Sequence, residues 1–369
     1  MLSGSFLFLF SSSEYSQTER RFVLYNFKTK DKKQSDHKSR FFRTQKSIMK
    51  TMITYGKRKS VYAKWKTNFT FTQTTVHMKL ILIIATFAFP SSLFAQDSIN
   101  NHYKIYDTKA KQIITIDKIV TDMADADVLF FGEEHNDSAA HYLENKIFRA
   151  LHSQYADKVV LSMEMFETDG QLVLNEYLGG TIDEARFSRD VRLWSNYKDY
   201  RPMIEYAKQN KIPVIAANPP RRYVSLVSRR GMKSLDSLSK DAKKFLPPLP
   251  YDTLTGRYRE KFIEIMKGGP GGNNPNVYYS QSLWDAGMGY SIYSFLKKNK
   301  HKKVFHCVGG FHTEEKLGTA AQLQMRNKKL KILNIASFSD ASFSNPDWEK
   351  FSYKGDYIIL TNPDLKKTF

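Results

Sequence analysis

The sequence predicts an α/β domain: a mainly parallel sheet with helices on both faces, an N-terminal hairpin, and a helical or loop excursion near residues 231–275. Three observations predict it. Short apolar runs alternate along the chain with segments of helical spacing, the pattern of strands joined by crossover helices. Of the 369 residues, 41% are hydrophobic and 25% charged, so a sizeable core is available. The rhythm breaks once, between Pro247-Pro-Leu-Pro250 and Gly268-Gly-Pro-Gly-Gly-Asn-Asn-Pro275.

The chain begins with a stretch that does not fit a folded domain. Residues 1–77 hold 16 Lys/Arg against 4 Asp/Glu, and residues 78–369 hold 41 against 33. Most of the net charge of +20 therefore lies outside the body, and the body is not read as a nucleic-acid-binding protein. From Met78 the chain reads Met-Lys, an apolar run from Leu80 to Phe89, then Pro90-Ser-Ser-Leu-Phe-Ala95-Gln96. A basic start, a short apolar core and a small residue before the cut are the parts of a secretory signal. The expectation is translation from Met78, cleavage after Ala95 and a mature domain over 96–369 that is exported, to periplasm or medium. The rival is a basic arm over 1–77 that binds nucleic acid or anionic lipid, followed by an apolar anchor. The single cysteine, Cys307, excludes a disulfide framework, a Cys-rich metal site and a lipid anchor at the cleavage site.

In the body, Tyr103-Lys-Ile-Tyr106 and Gln112-Ile-Ile-Thr-Ile116 alternate around Asp107-Thr-Lys-Ala110 and predict the hairpin. A short amphipathic helix follows over Lys118–Ala124. Val128-Leu-Phe-Phe131 is a strand stopped by Gly132. Leu143, Ile147, Ala150 and Leu151 carry helical spacing within Ser138–Gln154. Lys158–Phe166 reads as a strand, Gln171–Leu178 and Tyr200–Gln209 as helices, the second with Pro202 in its first turn. Ile212-Pro-Val-Ile-Ala-Ala217 is a strand. After the excursion, expected to be a small helical lid with a flexible loop, come a long helix from about Val277 to Lys298 and strand Lys303–Val308. A helix near Glu315–Asn327 and strands Leu330–Ala336 and Tyr357–Leu360 complete the pattern.

One short motif recurs. Gly132-Glu-Glu-His135 and Gly309-Gly-Phe-His312 each directly follow a strand. The carboxyl ends of parallel strands share one edge, where ligands bind, so the two histidines can converge there. Each glycine is expected to let the chain turn sharply out of its strand. A third strand ends near Glu164, with Glu167 just beyond. Two imidazoles and a carboxylate suit a divalent transition metal, with His135, Glu164 and His312 as ligands. Glu133 or Glu134 would add an oxygen or act as general base, and Glu134 and Glu164 are the candidate catalytic carboxylates. Without metal the same groups suit acid–base work. Gly-x-x-His alone is a weak pattern, and either histidine could equally be a cap or a satisfied loop residue. His141, on the next helix, is expected at the surface or behind the first motif. His306 and Cys307, inside an apolar strand, are expected in the core. The aromatic clusters Trp194–Tyr200 and Tyr278–Met288 fit core packing or the wall of an apolar pocket.

Taken together, Val128–Asn136, Ser162-Met-Glu-Met-Phe166, Trp194-x-x-Tyr197-x-x-Tyr200-Arg-Pro202, Ile212–Pro219, Gln281-x-x-Trp-Asp285-x-x-Met288 and Gly309–His312 form an ordered set. Over roughly residues 100–340 it resembles the ChaN-like cofacial haem-binding uptake proteins of the Tiki superfamily. That superfamily also holds metalloprotease-like and erythromycin-esterase-like members with Gly-x-x-His turns and acidic residues. By the resemblance, Gly132, His135, Glu164, Gly309 and His312 are the matching site positions. It implies haem as cofactor, stacked haem pairs held in a homodimer, and membrane-associated transport partners. It also implies Tyr and His near the haems, here Tyr200 with His135 and His312. A metal-dependent peptidase or esterase built on the same residues is the alternative.

Overall fold

Asp107 closes the first turn of the domain: its Oδ1 accepts the backbone N–H groups of Lys109 and Ala110 at 2.9 and 2.8 Å. This turn joins β1 (Tyr103–Asp107) to β2 (Gln112–Ile113) as the expected antiparallel hairpin. The computed structural model describes residues 99–267 and 274–369. The expectations for residues 1–77, for the signal segment from Met78 to Gln96 and for the loop at 268–273 lie outside the described residues.

The chain then runs α1 (Ile116–Asp122), β3 (Val128–Glu133), α2 (Ser138–Tyr155), β4 (Val159–Glu167), α3 (Gln171–Leu178), α4 (Glu184–Asp190), α5 (Tyr197–Gln209) and β5 (Val214–Asn218). After α6 (Arg221–Arg230) and the short α7 (Lys240–Lys243) come α8 (Arg257–Met266), α9 (Pro275–Lys298) and β6 (Lys303–Gly309). The last elements are α10 (Gly318–Arg326), β7 (Ile332–Ser339) and β8 (Tyr357–Thr361). The strands form one eight-stranded sheet in the order β2-β1-β8-β7-β3-β6-β4-β5. From β8 to β5 every neighbouring pair is parallel, and β1 runs antiparallel to both β2 and β8. Among the described residues no helix is long and apolar enough to cross a membrane.

Side chains alternate across the strands and bury both faces. Leu129, Phe131, Leu161 and Phe305 pack with Leu143 and Ile147 of α2 and Met203 and Ile204 of α5. Val128, Phe130, Val160 and Val304 pack on the other face with Met288 and Ile292 of α9 and Leu323 of α10. At the outer edge, Gln171 substitutes for a further strand. Its side-chain amide donates to Val214 O at 2.9 Å and accepts from Ala216 N at 2.8 Å.

Several expectations change. Helix α5 starts at Tyr197, so Pro202 lies inside the helix rather than in its first turn. Helices α4 and α6 add to the expected elements; α6 carries Tyr223, Val224, Leu226 and Val227 at helical spacing between Pro220 and Gly231. Helix α10 starts at Gly318, because Glu315 and Gly318 adopt positive φ of 63° and 54°. The described part of the excursion, residues 231–267, is a partly helical cap: Leu235, Leu246 and Tyr251 bury against Val224 and Val227 of α6 and Leu283 of α9. From it, α8 sends Tyr258 and Phe262 onto Tyr278 of α9.

Candidate functional site

Strands β3, β6 and β4 are neighbours in the sheet, and their carboxyl ends carry the two Gly-x-x-His motifs and Glu164. Neither motif glycine has positive φ, so the expected turn is not their role. They supply space. A Cβ on Gly132 would lie 2.6 Å from Thr313 Cγ2 and 3.1 Å from Gly310 Cα, in the second motif's segment. A Cβ on Gly309 would lie 2.7 Å from His135 Nε2, in the first. Each glycine makes room for the other motif, and that interlock brings His135 and His312 to one place.

The His135 half of the site lies on the α2/α5 face. Glu133, at the last position of β3, points into that face and is buried. Its Oε1 accepts from His135 Nδ1 at 2.7 Å and from the Tyr200 hydroxyl at 2.6 Å. Behind it, His141 Nδ1 lies 3.1 Å from Glu133 Oε2 and 3.2 Å from Glu144 Oε2. His141 Nε2 donates to His135 O at 3.1 Å, and Asn196 Nδ2 donates to the same oxygen at 3.0 Å. The His135 ring is therefore fixed at its Nδ1 and its backbone is held from two sides. Trp194 stands edge-on to the ring at 5.0 Å between centroids.

The His312 half comes from the other face. His312 Nδ1 donates to Asp285 Oδ1 at 2.8 Å. Asp285, on α9, also accepts from Thr319 Oγ1 at 3.0 Å and from the Tyr258 hydroxyl. Glu164 lies between the halves: its Oε2 accepts from Gly309 N at 2.8 Å, and its Oε1 is 3.8 Å from His312 Nε2. Each imidazole thus spends Nδ1 on a buried carboxylate that a buried tyrosine also serves. His135 Nε2 lies against Gly309, and His312 Nε2 faces Glu164.

Burial works against charge on every one of these groups, and partners decide the outcome. For Glu133, hydrogen bonds and charge from His135 and His141 outweigh burial and hold its carboxyl below the usual range. The Glu133 carboxylate in turn pushes His135 up to about 9, with help from the charges of Glu164 and Glu144. Glu133 and Glu144 push His141 up to about 11. Glu144, buried beside the Glu133 charge, rises to about 8 and carries its proton at neutral pH. His312 titrates above its ordinary value, because Asp285 and Glu164 overcome the cost of burying it.

The sequence-predicted residues fare differently. His135, Glu164 and His312 come together at the carboxyl edge. Glu134 does not join them: its Oε2 turns to Ser339 Oγ at 2.8 Å and Lys367 Nζ at 3.3 Å, so Glu133 is the carboxylate facing His135. Tyr200, expected beside the cofactor, lies close to His135 and faces Glu133. It is fully buried and its hydroxyl is committed to Glu133. Burial and the Glu133 charge push its pKa well above the ordinary value, which opposes a tyrosinate. His141 is buried behind the site rather than at the surface. His306 and Cys307 are fully buried as expected; burial pushes His306 down to about 3, so it is neutral. Asp285 is named in the family pattern but given no role at the site, and Tyr258 is not singled out. Asp285 stands among aromatics at helical spacing, and Tyr258 lies in the excursion, where no pattern was readable. Glu144 did leave a trace: a carboxylate four residues after Ala140 and three before Ile147 sits in the apolar stripe of α2.

Two groupings bear on metal binding. Among the described residues, Glu133, His141 and Glu144 place one ligand atom each within 4.8 Å of one another. This trio does not fit a cation, because His141 spends Nε2 on a carbonyl and a protonated Nδ1 already fills the space between the carboxylates. His135, Glu164 and His312 offer the borderline nitrogen and oxygen donors that a divalent transition metal takes. The donor set fits haem iron through His135. Its side chain is 34% exposed, against 10% for His312.

The family model described as haem-binding uptake, Tiki superfamily, ChaN matches residues 119–323. The ChaN protein of Campylobacter jejuni, solved with cofacial haem, superposes with a TM-score of 0.54 at 18% identity, covering 71% of this chain and 98% of that one. A mutant of the erythromycin esterase EreC, in its open conformation, is more distant: TM-score 0.40, 10% identity, 71% of this chain and 83% of that one. A stretch of 119 residues, 31% of this chain, is 25% identical to the chloroplastic RETICULATA-RELATED 5 protein of Arabidopsis thaliana and spans 16% of that protein. The matched span of the family model exceeds half of the 369 residues and runs from α1 through both Gly-x-x-His motifs and Glu164, so the chain belongs to the ChaN haem-binding uptake family of the Tiki superfamily.

Proposed function

We propose that the chain is an exported haem-binding protein serving haem and iron uptake, and that haem is taken at the carboxyl edge of the sheet. The observation that carries this reading is His135: a part-exposed imidazole at that edge, fixed by Glu133 and flanked by Trp194. Haem is large, flat and mostly apolar, and its iron accepts an axial imidazole. Phe311 and Trp284 near His312 extend the aromatic lining. A stacked haem pair would call for a homodimer, and uptake for transport partners at a membrane. Export follows from the signal-like segment ending at Ala95; N-terminal sequencing of the protein from its native host tests it, and recovery of residues 1–77 in exported protein would count against it.

The direct test of haem binding is an absorption titration of the purified chain with haemin. The reading expects a saturable Soret shift that His135→Ala abolishes or moves. One observation favours a second reading. His312 Nε2 and Glu164 Oε1 stand 3.8 Å apart beside His135, a spacing one divalent metal can bridge. Such a site would polarise a peptide or ester carbonyl or activate water. Stoichiometric uptake of a divalent metal, with no saturable response to haemin, would replace the first reading by this one.

A further inference from the structure

The strongest unassigned feature lies behind His312. Haem binding draws on the exposed imidazole, His135, and leaves unexplained why a second histidine is supported so heavily. Asp285 is fully buried, and both its oxygens are engaged. Its donors come from three elements: Tyr258 of α8, Thr319 of α10, and His312 itself just after β6. Gln281 Nε2 donates to the Tyr258 hydroxyl at 3.3 Å and approaches His312 Nδ1 at 3.2 Å and Nε2 at 3.4 Å, so a ligand at Nε2 competes with this longer contact. Asp285 Oδ1 is closer to Nδ1, at 2.8 Å, and a charge-assisted bond is about twice as strong as a neutral one. The proton therefore sits on Nδ1 in the neutral ring. Gly318 makes room for this packing: a Cβ there, at φ +54°, would lie 2.4 Å from His312 O and 2.9 Å from Asp285 Oδ1.

We propose that Tyr258 and Asp285 are positioning residues that lock His312 in its Nδ1–H tautomer, so that Nε2 is presented as an electron-pair donor to a ligand held beside Glu164. They match, on the opposite face of the sheet, what Tyr200 and Glu133 do for His135. The packed cap over residues 231–267 thereby becomes part of the site, because α8 delivers the Tyr258 hydroxyl to Asp285. The lock rests on the reading that the edge around Glu164 is the functional site; its geometry does not depend on which ligand binds there.

The test uses the full chain labelled with 15N in its histidine rings. Long-range proton–nitrogen spectra across a pH titration report which ring nitrogen carries the proton in the neutral form, with His312 assigned by His312→Gln. Wild type is expected to show His312 protonated on Nδ1. In Asp285→Asn the Nε2–H form should gain population, and Tyr258→Phe, which nearly keeps the ring volume, should shift the balance in the same direction to a smaller extent. Binding of Co2+, followed by its visible absorption, should weaken about 10–100-fold in Asp285→Asn, as for other supports of a metal-binding histidine. An Nε2–H tautomer in wild type, or a His312 signal unmoved by both substitutions, would overturn the proposal. Wild-type protein that binds neither haemin nor Co2+ would instead sink the functional readings, and the tautomer result would still decide the lock.

Discussion

Tyr200 stands beside the first motif, fully buried and bonded to Glu133. Its position beside the first motif was legible; its burial under Glu133 was not, because the turn of α5 that carries it starts three residues earlier than the spacing suggested. Tyr200→Phe is expected to keep saturable haemin binding through His135 while shifting the Soret band modestly, because Glu133 loses one of the two donors on the oxygen that holds His135. It should lower stability by about 1.5–3 kcal/mol in urea unfolding, the range for a hydrogen bond to a charged group. The motif glycines carry the second lesson at this scale. Sequence marks Gly132 and Gly309 equally as turn formers, and only the packing shows that each clears space for the other's segment. Gly309→Ala should therefore displace His135 and weaken haem or metal binding while far-ultraviolet circular dichroism stays unchanged. Overpacking of this kind costs about 1–3 kcal/mol, which a shift in the urea midpoint would report.

Elements were legible wherever a long apolar period ran between clear stops. Strands β3 to β8 and helices α2, α3 and α9 lie within a few residues of their expected places, since hydrophobic period is the strongest local signal. Short helices such as α4 and α6, and the cap with α8, are stabilised by what they pack against, and tertiary contacts leave little trace in local pattern. Helix α2 shows how an element serves the site. Its N-cap, Asp137, accepts from Ala139 N at 2.9 Å and Ala140 N at 3.1 Å and also takes the Thr361 hydroxyl of β8. Asp137 thus fixes the helix that carries His141 and Glu144 directly after the first motif. Asp137→Ala should cost about 0.5–2 kcal/mol for the cap, read from the urea midpoint. The loss should exceed that of Asp183→Ala at the exposed start of α4, where a single bond to Arg186 N is removed.

For the molecule as a whole, the buried charge cluster ties stability to pH. His141 keeps its proton to about 11 in the folded chain, so its contribution is complete below the ordinary histidine range and is lost as pH rises through that value. Glu144 keeps its proton to about 8 when folded and gives it up near its ordinary value when unfolded, which also removes stability as pH rises. Glu133 works the other way: its contribution is present above the ordinary carboxylate range and disappears in acid. The urea midpoint should therefore peak near about pH 5 and fall steadily towards about pH 9, and a midpoint rising over that interval would contradict the assignment of charges. His141→Gln should flatten the alkaline side of the curve.

The side chain of Gln171 has a wider consequence. By filling the ladder positions of Val214 and Ala216, it leaves β5 few free groups with which to recruit a strand from another molecule. At the opposite margin, among the described residues, β2 is two residues long, Gln112 and Ile113, and pairs with Tyr106 and Asp107 of β1. Among the described residues the β5 border in particular is a poor template for continuation, which works against open-ended fibrous growth there. Any self-association, including one that would enclose stacked haems, is therefore steered away from strand addition at β5 and towards a closed pairing through loops and helix ends.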